Sequence, residues 1–348
     1  MSETFGAAFI RDARFLPHQI DIANDRVLIV QLDAADYHSA SFLDQRLLQQ
    51  QRPLEWVPWA TLEALGPELR SDAQFIFHIG HVGSTLISRL LGEYDALFAL
   101  REPQLLRSFA DLKLISGKPE SPWRPDLLPP RLAMAIRWLS RTFAPEERAL
   151  IKATSFASEI AADAVGDGRQ SLFLHVSPER YIQTILAGEN SRRELAMLSG
   201  SRLNRLHDAI GARRWNLWKM PEAVRAAMSW ACEMTALERA AATLPDGSVL
   251  WFDFDSFLAE PSASLAGIAA FFGAGNHPQL ASKLVGGPIM QHYSKAPEHG
   301  YSPQLRDQLL AQTSSQRSGD IAAALRWLDD AAGESELIAQ ALDRQRRH

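Results

Sequence analysis

One stretch of the sequence has the residue types that receive an anion. Phe75-Ile76-Phe77-His78-Ile79-Gly80-His81-Val82-Gly83-Ser84-Thr85-Leu86-Ile87-Ser88-Arg89 runs from an apolar, strand-like pattern through two glycines directly into a helical one. Glycines let the main chain pass close to a phosphate, the first N–H groups of the helix have no partner inside it, and the helix dipole favours negative charge there. Gly80, His81, Val82 and Gly83 are therefore candidate backbone donors, and Ser84 and Thr85 add hydroxyls. An ordinary strand-to-helix turn would use the same glycines without needing the two hydroxyls.

The nucleoside-triphosphate signature requires Gly, four residues, then Gly-Lys-Ser/Thr. Counting back five from Gly83 gives His78, and Ser84 stands where the lysine belongs. A loop without that lysine suits a transferred group carrying less charge than a γ-phosphate, such as a sulfuryl group. The cation at such a site would be His81, if protonated beside the anion, or Arg89. As an isolated residue, His81 reads equally well as a loop histidine without a role.

Two further charged residues are expected at ends of neighbouring strands. Glu102, in Leu100-Arg101-Glu102-Pro103, lies nineteen residues after Gly83 and should emerge where open α/β sheets bind ligands. A carboxylate there can take the proton of an acceptor hydroxyl, although one ahead of Pro103 also fits the start of a helix. Arg101 should face the opposite side and be structural. Lys152, in Ala149-Leu150-Ile151-Lys152, ends another apolar run, and a lysine buried there needs an anionic partner.

These blocks resemble the P-loop sulfotransferase family, whose loop reads basic, any residue, Gly, Ser/Thr, Thr after a strand. Gly83, Ser84 and Thr85 match that pattern, and His81 falls where the family has Lys or Arg. The spacing to Glu102 is more like that of protein-tyrosine sulfotransferases than of the cytosolic histidine-base branch. The resemblance implies 3′-phosphoadenylyl sulfate (PAPS) as co-substrate, no required metal, Glu102 as base with His81 assisting, Lys152 pointing at the site, and a small-molecule or peptide acceptor. It also implies an arginine and, eight positions on, a serine for the 3′-phosphate of the donor. Those positions hold Ser177 and Ile185 here, leaving Arg180 and Thr184, with Asn190, Arg192 or Arg193, as replacements.

Phe254-Asp255-Ser256-Phe257-Leu258-Ala259-Glu260-Pro261 and Leu265–Gly273 resemble the closing strand and helix of the family. The segment Gln291–Lys295, with His299–Ser302 and Arg306, is expected as a lid. Trp56, Trp59, Trp123 and Trp215 are candidates for an acceptor cleft. Two alternatives stay open: a triphosphate-dependent kinase or hydrolase with Asp253 near magnesium, and a nucleotide-binding module that keeps the fold without turnover.

The elements that must position these residues follow from periodicity. Short apolar runs at Phe75–Ile79, Leu97–Leu100, Ala149–Ala153, Ser171–Val176 and Val249–Phe254 predict strands. Helical patterns lie at Ser84–Leu91, Pro103–Ile115, Pro130–Phe143, Arg180–Ala187, Glu222–Thr243 and Ala263–Phe272, with Gly273 as a C-cap, and near Gln304–Gln312, Gly319–Ala332 and Glu334–Arg346. The alternation predicts an α/β, three-layer P-loop NTPase-like fold with a mainly parallel central sheet. Residues 1–72 are expected as an N-terminal cap, with β-like Arg26–Leu32 and Phe42–Leu48 and an aromatic turn at Trp56–Trp59. Residues 73–348 form the main domain with a helical C-terminus.

The chain has 348 residues, 46% of them hydrophobic, and a formal net charge of −5, which argues against a broad basic surface for nucleic acid. Its one cysteine, Cys232, excludes an internal disulfide and a thiolate zinc site. Without a long apolar run or a basic and apolar leader pattern, a cytoplasmic protein that does not act at membranes is expected.

Overall fold

The structure is a computed structural model and describes residues 4–49, 51–166, 168–291 and 303–346. Among the described residues, eight strands form two sheets. β1 (Phe15–Asp21), β2 (Arg26–Gln31) and β3 (Leu54–Pro58) make a small antiparallel sheet in that order. The aromatic turn expected at Trp56–Trp59 is instead the end of β3 and the start of the helix Trp59–Leu65. Likewise, the expected β-like stretch Phe42–Leu48 ends in a 3₁₀ turn at Gln45–Gln49.

The second sheet holds β4 (Gln74–His78), β5 (Leu97–Arg101), β6 (Arg148–Lys152), β7 (Ser171–His175) and β8 (Val249–Asp253), all parallel, in the order β5-β6-β4-β7-β8. Successive side chains of a strand point to opposite faces. In β4, β5 and β7 every residue is buried, so helices must cover both faces, and the fold is a three-layer α/β sandwich with helices continuing to the C-terminus. The chain leaves β4 toward β5, returns through β6, and then crosses to β7 on the other side of β4. The carboxyl end of β4 is therefore a topological switch point, the place where such sheets hold ligands.

The helix Pro261–Phe271 shows how local sequence closes an element. Gly273 has φ +75 and donates to Ala270 O at 3.0 Å, while Ala274 donates to Ala269 O at 2.9 Å. This paired closure satisfies carbonyls that the helix leaves open and needs a left-handed residue, which glycine provides.

Candidate active site at the carboxyl end of β4

β4 ends at His78, and the loop to the helix Ser84–Leu91 begins there. His78 Nδ1 accepts the N–H of Gly80 at 3.0 Å, and its Nε2 lies 2.9 Å from Ala153 O at the end of β6. One neutral tautomer, protonated on Nε2, serves both bonds. The strand-end histidine thus fixes the entry to the loop, and it occupies the Gly80 amide, which is a turn residue and not a donor to a ligand.

Gly80, His81 and Gly83 all have positive φ, at 87°, 57° and 65°. Three left-handed residues within four turn the chain sharply, so that its amides line a concavity. The N–H groups of Val82, Gly83, Ser84 and Thr85 take no protein partner among the described residues. Gly83 is required twice over: a Cβ there would sit 2.0 Å from the Phe254 ring, at a φ that side chains resist. The hydroxyl-bearing Ser84 and Thr85 are each 5% exposed.

The side chain of His81 does not face this row. Its ring lies against the helix Glu189–Ile210, with Nδ1 3.2 Å from Ser191 Oγ and Nε2 3.5 Å from Glu194 Oε2, and its side chain is 6% exposed. Only the backbone of His81 belongs to the loop concavity.

Glu102 and Lys152 form one unit. Lys152, 1% exposed at the end of β6, donates to Glu102 Oε1 and sits 5.3 Å from the centre of the Phe42 ring. The Glu102 amide donates to Lys152 O at 2.7 Å, so backbone and side chain both tie the pair. The lysine therefore has a partner within the protein, and it aims a carboxylate that remains partly exposed. Glu102 has φ 52°, and the described non-glycine residues with positive φ are Asp25, His81 and Glu102. Two of these three are the residues singled out for chemistry, and such strain persists only where surrounding structure enforces it. Lys152 lies one strand from β4 and Glu102 two strands, roughly 5 and 10 Å at the usual strand spacing.

Arg101 is structural, as its predicted facing requires. Its guanidinium is buried and donates to the carbonyls of Tyr37, His38 and Ala40 at the end of the helix Ala34–Ser39. Burial, and secondarily the charge of Arg89, lowers its pKa to about 10.

The remaining candidates are turned toward the protein. Arg89 lies five residues past the helix start, about 7.5 Å along the axis, and donates to Ser41 Oγ at 2.8 Å in the N-terminal segment. Ser177 caps the helix Pro178–Ala187 by accepting from Arg180 N at 3.2 Å. Thr184 Oγ1 donates back to Arg180 O at 2.8 Å. Arg180 and Arg306 both donate to Asp255, at 2.8 and 2.9 Å, and Arg306 also lies over Phe254, the ring that packs on Gly83. Of the expected lid, residues 292–302 lie outside the described residues. Asp253 accepts from Ser256 N at 2.9 Å as the cap of the helix Phe254–Ala259. It stands on the edge strand β8, with β7 between it and β4.

No tryptophan cleft forms. Trp59 and Trp123 are buried and pack on each other with Trp138, Trp215 packs on Trp327 elsewhere, and Trp56 is 39% exposed on β3. Sequence reasoning missed Glu194 and the role of Phe254 against the loop. The block resemblance around Phe254 was the available signal for the second, and none existed for the first.

Sheet order, the strand-end loop and its open amides define a three-layer α/β domain with a candidate anion site at the carboxyl end of β4. No family model matches the chain, and no curated protein does. Among solved structures it is similar to the sulfotransferase domain from the curacin biosynthetic pathway, at 14% identity over 71% of this chain and 97% of that one, with a TM-score of 0.42. The fold class rests on this chain's own sheet order and burial. No helix among the described residues is long and apolar enough to cross a membrane.

Proposed function

We propose that the chain is a sulfotransferase that moves a sulfuryl group from PAPS to an acceptor hydroxyl or amine. The observation that supports this best is the row of open amides at Val82–Thr85, without a lysine, two strands from a carboxylate held by Lys152. The amides and the Ser84 and Thr85 hydroxyls fit the 5′-phosphosulfate: they are preoriented donors, and the Gly83 backbone lets the group approach closely. The donor supplies the sulfuryl group and leaves as adenosine 3′,5′-bisphosphate. Glu102 accepts the proton of the acceptor, with its carboxylate direction set by Lys152, and catalysis rests on positioning and electrostatics.

Calorimetric titration with adenosine 3′,5′-bisphosphate tests the donor class, and micromolar binding is the expected result. Absence of binding at millimolar nucleotide would remove it. In a PAPS-dependent assay, Glu102→Gln should lower the rate by about 10²–10⁴-fold with little change in nucleotide binding.

A second reading draws on one observation. Ser177 is used as a helix cap, and the replacements Arg180 and Thr184 are engaged by Asp255 and by Arg180 O, so these groups for the 3′-phosphate are committed within the protein. A donor or nucleotide lacking that phosphate, bound without turnover, fits this arrangement. Adenosine 5′-phosphosulfate binding more tightly than adenosine 3′,5′-bisphosphate would favour it.

A further inference from the structure

The loop carries a histidine, His81, where a permanent cation could stand, and a histidine is charged only when both ring nitrogens are protonated. Its two nitrogens have different neighbours here. Nδ1 lies 3.2 Å from the Ser191 hydroxyl, which can accept, and Nε2 lies 3.5 Å from a carboxylate oxygen of Glu194, which can only accept when ionised. Both neighbours therefore suit the imidazolium. Tyr181, on the helix Pro178–Ala187, presents its ring edge at 6.4 Å between centroids and brings no charge. Behind Glu194, its Oε1 lies 3.7 Å from Arg202, and Arg202 and Arg205 are both bound to the fully buried Glu233. His81, Glu194, Arg202, Glu233 and Arg205 thus alternate in sign from the loop into the core.

We propose that Glu194 is the positioning residue that keeps His81 doubly protonated, so that a helix carboxylate sets the charge of the anion-binding loop in place of a permanent cation. The inference rests on the reading of the loop as an anion site. The His81 backbone adjoins the first open amide, Val82, while its ring sits against the helix Glu189–Ile210, so its charge acts on that row through the field and not by contact. The sign follows: anion affinity is high while His81 is charged and falls as pH rises through its titration. Removing Glu194 moves that fall to lower pH. The loop would then be a phosphate site whose occupancy falls as His81 loses its charge.

The test has two independent readouts. Nitrogen-edited NMR of ¹⁵N-histidine-labelled protein gives the His81 titration, assigned by its loss in His81→Lys. Calorimetry with adenosine 3′,5′-bisphosphate across pH 6 to 9 gives affinity. Glu194→Gln should lower the His81 midpoint by about one pH unit or more and shift the affinity profile by the same amount, and Glu194→Asp should restore both. His81→Lys should bind with a flat profile over this range and make Glu194→Gln silent in it. An unchanged His81 midpoint in a folded Glu194→Gln protein overturns the proposal. If the midpoint moves as expected but the nucleotide binds at no pH, the pairing of His81 with Glu194 is supported and the sulfuryl-donor reading fails.

Discussion

At the scale of single residues, the site depends on backbone positions that tolerate little change. Gly83→Ala places a methyl group into the Phe254 ring at an unfavourable φ, so it should cost about 2 kcal/mol or more. It should also abolish nucleotide binding; denaturant titration and calorimetry check the two effects. Gly80→Ala meets Ser155 only at 3.4 Å, so its cost should be the backbone term alone, about 1 kcal/mol. A different residue governs acid stability. His18 is fully buried in β1, and neither ring nitrogen has a hydrogen-bond partner among the described residues. Burial lowers its pKa to about 4, with Asp44 partly opposing, from an ordinary 6.5. The unfolded chain takes up a proton near 6.5 and the folded chain only near 4, so stability is lost as pH falls through that window, by about 3 kcal/mol in all. His18→Leu should remove that loss, seen as a smaller drop in unfolding free energy between pH 7 and 4.5. The residue scale was partly legible beforehand. Glu102, Lys152 and the loop were visible as residue types at strand ends, but the pairing of Glu102 with Lys152 was not, because nothing in one chain's sequence says that β5 and β6 lie side by side.

At the scale of elements, the five parallel strands were readable because each is a short, continuous apolar run that needs both faces covered. The helix Glu189–Ile210 was not. Its buried residues mix Leu195, Leu203 and Leu206 with Ser199, Arg202, Arg205 and His207, a polar share that blurs the apolar period of a helix. Buried charge adds to the packing of those leucines. Arg202 and Arg205 bind Glu233 of the helix Glu222–Ala241, while Ser158 donates to the same carboxylate at 2.6 Å. Burial pushes the Glu233 carboxyl up, but the two arginines more than offset this and hold it below its usual range. Removing one member strands the others, so Glu233→Gln should destabilise by roughly 3–5 kcal/mol, measured by chemical unfolding. Replacing Arg202, Arg205 and Glu233 together with apolar residues should cost much less. β1 and β3 escaped notice for another reason. Each contains a proline, β1 shifts register between Pro17 and Gln19, and β3 exposes four of its five residues, so neither shows the alternation of a half-buried strand.

At the scale of the whole molecule, the N-terminal segment is built into the core. Trp59 packs on Trp138 with ring centres 4.6 Å apart. The buried Arg141 donates to the carbonyls of Phe9, Asp12 and Phe15, and Leu43 donates to Arg101 O at 2.7 Å beside Glu102. A chain beginning at residue 73 should therefore lose its cooperative thermal transition, as calorimetry would show, because it leaves apolar surface and guanidinium donors uncovered. What the sequence by itself determined was local: which runs are strands, where a helix starts, that two glycines and two hydroxyls stand between them, and that no lysine completes a triphosphate loop. Those follow from neighbours along the chain, whose periodicity and turn chemistry act over a few residues. Only the tertiary structure decided that His78 locks the loop, that His81 turns away to Glu194, and that Lys152 aims Glu102. Those outcomes depend on side chains 50 to 113 positions apart sharing a desolvated space, where each buried polar group must find a partner that sequence order does not specify.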